Sequence, residues 1–77
     1  MKIKKLGPNM TELEYADGAR VLVSYETPVA AYTKALGFVK SDRFHSRTTS
    51  QHISQWLDGV QATPVKVEML ITLMEEK

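Results

Sequence analysis

At 77 residues, with a formal net charge of +1 and no cysteine, the chain is sized for one domain that no disulfide or thiolate-bound metal can staple. A chain this short hides only about 60% of its unfolded surface, so a compact core, a partner subunit or both must supply stability. The hydrophobic content of 43% is that of an ordinary globular chain, and near-neutral charge argues against both a strongly basic nucleic-acid binder and an acidic mimic of DNA.

The opening MKIKKLGPNM has basic residues but no apolar run behind them, so neither a signal peptide nor a membrane anchor is expected. Lack of cysteine fits a reducing cytoplasm. Within this segment KIKKL reads as a short basic edge strand that Gly7-Pro8 ends. In TELEYADGARVLVSY, two alternating runs flank Ala16-Asp17-Gly18, a loop that glycine can close. A three-residue loop pairs Glu14 with Arg20 and Leu13 with Val21. Leu13, Tyr15, Val21, Val23 and Tyr25 then share an apolar face, and Glu12, Glu14, Arg20 and Ser24 a polar one, with Leu22 as the exception. Slipping the pairing by one residue mixes charged with apolar side chains, and that register is rejected.

Pro28 should open a strand over Val29 to Thr33, because proline cannot donate to a sheet ladder. Lys34 to Gly37 then turns the chain into Phe38 to Ser41, a second hairpin. In RTTSQHISQWLDG, Thr49 or Ser50 can cap a helix. Ile53, Trp56 and Leu57 form its buried stripe, with Gln51, Ser54, Gln55 and Asp58 opposite and Gly59 at its end. In the tail, Thr63-Pro64 reads as a cap followed by a first helical turn. Val67, Leu70, Ile71 and Met74 line that helix, and Val65, Met69 and Leu73 widen its apolar arc beyond what one small sheet can cover. The expected architecture is a single α+β domain over residues 1–77, an antiparallel sheet of four or five strands packed with two helices. The surplus arc of Met69, Leu70, Leu73 and Met74 predicts a homodimer.

Candidate chemistry is sparse. His52 as a catalytic base needs a nucleophile and an orienting acid; hydroxyls at Ser46, Thr48, Thr49 and Ser50 and carboxylates at Asp42 and Asp58 are types that almost any chain contains. The structural reading of His52 is favoured, and a zinc pair of His45 and His52 has no supporting spacing. Lys34, Lys40, Arg43 and Arg47 form a basic segment with only Asp42 opposing it. A solvated loop is the favoured reading over phosphate contact. No glycine-rich loop or metal motif is present, so neither enzymatic activity nor a cofactor is expected.

ADGARVLVSYETPVAAY followed by TTSQHISQWLDG resembles a group of small, mostly uncharacterised proteins carried by phages and other mobile elements. These proteins share a SYxTPVA phrase and a TTSxHIxxWL phrase, and the likeness spans residues 11–59. The resemblance implies a non-enzymatic protein acting by stoichiometric binding in the host cytoplasm. Its most concrete form is an anti-CRISPR inhibitor that docks on a CRISPR effector complex and blocks target-DNA binding. The partner-binding residues expected are Lys40, Arg43, Arg47, Gln51 and Gln55. A nucleic-acid-binding accessory or regulatory protein is the alternative, and a small hydrolase using His52 comes last.

Overall fold

The computed structural model describes residues 1–43 and 45–75. Six strands lie in one sheet in chain order: β1 (Lys2–Gly7), β2 (Met10–Glu14), β3 (Arg20–Ser24), β4 (Thr27–Thr33), β5 (Gly37–Ser41) and β6 (Thr63–Val65). The first five form an antiparallel meander, and β6 runs parallel to β5. Parallel neighbours need a long crossover, and α1 (Arg47–Leu57) supplies it; α2 (Val67–Glu75) follows β6 at once. The α+β class therefore holds, with six strands in place of four or five.

The hairpin register is the one that side-chain alternation selects, Glu14 opposite Arg20 and Leu13 opposite Val21. The assignment of its faces needs correction. The side carrying Glu12, Arg20 and Ser24 is covered by α1. Leu22 packs there with Met10, Val29, Ala30, Ile53 and Leu57. Leu22 is thus the centre of a first core, under α1. The other side, with Leu13, Tyr15, Val21 and Val23, meets α2 through Leu70, Leu73 and Met74. One sheet has a helix on each face. Successive strand residues point to opposite faces, which is how Val21 and Leu22 come to anchor separate clusters.

The tail departs from the expected continuous helix. Thr63 and Pro64 lie in β6 beside Val39 and Lys40, a short edge strand where the missing proline N–H costs little. The N-cap of α1 is Ser46, whose side chain accepts from the Thr49 amide. Thr49 is thereby freed from capping and lies buried in the first turn. Asp58 and Gly59 both take positive φ at the other end. Pro28 sits one residue inside β4, opposite Val23 and next to the bulge in which Val29 is the extra residue, a strand-start and bulge setting that tolerates proline.

Leu70 is 0% exposed between Val21, Ala31 and Val39. This corrects its assignment to a dimer surface, since the apolar arc of the tail is largely consumed by the second sheet face. Leu73 and Met74 pack against the same cluster, and Met69 is the member left outside, 37% exposed.

Candidate functional site

At one end of the sheet lie the Pro8-Asn9 turn, the Tyr25-Glu26 turn, the loop after β5 and the start of α1. Pro8 fixes its own φ and Asn9 takes φ 58, the division of labour expected of a proline-asparagine turn. The Tyr25 amide donates to the Asn9 carbonyl at 2.7 Å and ties the two turns together. Tyr25 also has φ 58, a conformation rarely adopted by a bulky residue.

Here the two sequence phrases meet. Ser24 Oγ lies 2.8 Å from His52 Nδ1 and 3.1 Å from Thr49 Oγ1, and the Tyr25 and His52 rings are 6.2 Å apart. SYxTPVA contributes the strand end, TTSxHIxxWL the helix face, and a chain of hydroxyls and imidazole joins them. The hydroxyl that His52 reaches is therefore Ser24, not one of the helix hydroxyls. Ser24 is only 2% exposed and already engaged by Thr49, the geometry of a clasp between helix and sheet.

The expected partner-binding residues separate into three places. Arg47, Gln51 and Gln55 lie with Ser50 and Ser54 along a shallow groove of about 450 Å³ on the outer side of α1. Arg43 lines a different cleft with Ser24, Tyr25, Thr27, His45 and Thr49. Lys40 is half-buried in β5, between Ala30 and Pro64. Among the described residues none of Lys40, Arg43 and Arg47 has an ion-pair partner, and the salt bridges found there join Lys4 and Arg20 to Glu12 and Glu14.

Trp56 is neither wholly core nor an open anchor. Its ring and that of Phe38 pack edge to face with centroids 5.7 Å apart, and its Nε1 donates to Glu12 at 2.8 Å. The Arg20 guanidinium stands 5.2 to 5.8 Å from the Tyr32, Phe38 and Trp56 ring centroids, within cation–π range. Among the described residues no three His, Asp or Glu side chains gather as metal ligands. Ser24, Tyr25 and Asn9 were missed as site residues, although the SYxTPVA phrase contains the first two.

Two helices on a mixed sheet, with a polar groove on one helix and a strained aromatic turn beside its start, define a small α/β/α sandwich with surface binding features. The chain belongs to the DUF8033 family, a family of unknown function, whose model matches residues 1–70. That match takes in both phrases and the first turn of α2. No curated protein and no solved structure matches the chain. No helix among the described residues is long and apolar enough to cross a membrane.

Proposed function

We propose that this protein is a non-enzymatic phage or mobile-element protein that acts in the host cytoplasm by stoichiometric binding, docking the outer face of α1 on a host protein complex. The observation that carries the reading is the groove of Arg47, Ser50, Gln51, Ser54 and Gln55, exposed along a helix that the Ser46 cap and the Ser24–His52–Thr49 clasp hold rigid. Uncharged amides and hydroxyls, with one guanidinium that has no ion-pair partner among the described residues, suit hydrogen bonding to a folded surface. Arginine fixes position through paired bonds to a carboxylate or phosphate. Burial of Ser24 speaks against its use as a nucleophile, because a substrate carbonyl must reach the attacking oxygen.

The likeness to mobile-element proteins makes a CRISPR effector complex the first partner to test, with target-DNA binding as the step blocked. The contact falls on an acidic patch, since a DNA-gripping surface would repel Arg47. The experiment adds one equivalent of protein to purified effector complexes and follows target-DNA binding. Inhibition that Arg47→Glu with Gln51→Ala and Gln55→Ala abolishes, at unchanged circular dichroism, supports the reading. Undiminished target binding across effector classes overturns the CRISPR form, and inhibition by the triple variant overturns the face. Steeply salt-dependent binding of the isolated protein to DNA or RNA would favour a nucleic-acid-binding accessory protein instead.

A further inference from the structure

We propose that the end of the sheet around Tyr25 is a nucleotide site, with the phosphate in the cleft of Arg43 and His45 and the base against the Tyr25 ring. Tyr25 is 52% exposed and held at positive φ by its bond to Asn9. Strain of this kind at an exposed aromatic residue is a recognised mark of ligand clamps. Its ring is outside both core clusters, with the His52 ring as a tilted neighbour 6.2 Å away.

Two clefts flank this ring and share Tyr25 and Thr27 as lining. The smaller, about 230 Å³, carries Arg43 and His45; the larger, about 520 Å³, carries Asn9 and Glu26. The smaller is cationic and unsatisfied. Among the described residues Arg43 has no ion-pair partner and the buried His45 Nε2 has no hydrogen-bond partner. A buried ring nitrogen left unpaired is unfavourable. The Arg43 guanidinium can grip an anion in this cleft by two parallel bonds, and His45 lies in the wall of the same cleft. The larger cleft offers an amide and a carboxylate, which can read donors and acceptors on a base edge. Every base has a π-face, so the exposed tyrosine that lines both clefts can stack on the base while the Arg43 cleft holds the phosphate.

The site is independent of the α1 groove, which has Arg47 and not Arg43 in its lining. The test is an amide-shift titration by two-dimensional NMR, with adenosine and uridine 5′-monophosphates, the matching nucleosides, inorganic phosphate and short single-stranded oligonucleotides as probes. The nucleotides should move the amides of Tyr25, Arg43, His45 and Thr49. Nucleosides and inorganic phosphate, each holding half of the ligand, should bind at least ten-fold more weakly. Arg43→Gln and Tyr25→Gly should each weaken nucleotide binding by ten-fold or more with the spectrum otherwise preserved, while Arg47→Gln leaves it within two-fold. An oligonucleotide that binds more tightly than the mononucleotide assigns the site to a single strand; equal affinity assigns it to a free nucleotide. No shift at these amides at millimolar concentrations of any probe overturns the proposal, as does unchanged affinity in both Arg43→Gln and Tyr25→Gly.

Discussion

The Trp56 indole donates to the buried Glu12 carboxylate at 2.8 Å, joining α1 to β2 across the first core. Arg20 and Lys4 each stand 3.9 Å from the same carboxylate, so Glu12 keeps a hydrogen-bond donor and two cations around it. Charge inside a core is tolerated on those terms. Glu12→Ala leaves the indole N–H unpaired and strips Arg20 of its nearest anion; a loss of about 2 to 4 kcal/mol is expected in urea unfolding. Glu12→Gln keeps an acceptor and should lose less. Equal stability of the alanine variant and the wild type would show that the bond contributes nothing net.

Two separate cores predict near-additive damage. Leu22 sits under α1 and Leu70 under α2, on opposite faces of the sheet. Each leucine-to-alanine change should cost about 2 to 5 kcal/mol, and the coupling between them should stay below about 0.5 kcal/mol. The single variants read this directly. Because the double variant is expected to be largely unfolded, the coupling is measured with the milder Leu22→Val and Leu70→Val pair. A coupling well above that limit would mean that the sheet transmits packing changes from face to face.

How much of this was legible depended on whether the signal was local. The β2–β3 register followed from alternation, and the stripe of Ile53, Trp56 and Leu57 followed from helical spacing, because each is fixed within a few residues. The sheet face under α1 was written in the same strand, at Leu22, but one leucine among Glu12, Arg20 and Ser24 reads as an irregularity until a helix is known to cover it. Thr63-Pro64 misled for a related reason: cap and edge-strand positions both tolerate proline, and only the parallel pairing with β5 decides between them. The contact of Ser24 with His52, 28 residues apart, has no local signature at all. Both phrases were visible, and their meeting was not.

Tyr25→Gly provides a separate check on the strained turn. Removing a tyrosine from an ordinary strand end sacrifices packing and adds backbone freedom to the unfolded chain. At φ 58, however, glycine relieves a conformation that L side chains rarely adopt. The two effects oppose each other, and the thermal unfolding midpoint should correspond to a change within about 1 kcal/mol of the wild type. A much larger loss would assign the ring a packing role that its exposure does not suggest.

The homodimer predicted from the tail is now best tested at Met69. Leu73 packs on the second core, so a charge there would damage the monomer as well as any interface. Met69→Glu should leave the melting temperature nearly unchanged, the usual result for a surface position, and shift a dimer toward monomer in analytical ultracentrifugation. A wild type that sediments as a monomer at high micromolar concentration rules the dimer out.

Lys4 and Glu14 give the edge strand its pH dependence. Lys4 Nζ lies 3.2 Å from a Glu14 carboxylate oxygen, and the hydrogen bond from Lys4, reinforced by its charge, holds the Glu14 carboxyl below its ordinary value against an opposing effect of desolvation. A carboxylate that binds its proton less readily when folded than when unfolded contributes stability above the unfolded pKa, near pH 4. That contribution disappears as the pH falls through the lower folded value. The pair is open to solvent, so the effect is small and screened by salt. Thermal melts between pH 7 and pH 2 should show a modest acid destabilisation that Lys4→Gln reduces and 0.5 M salt blunts. Identical pH profiles for the wild type and Lys4→Gln would show that the ion pair leaves β1 pairing unaffected.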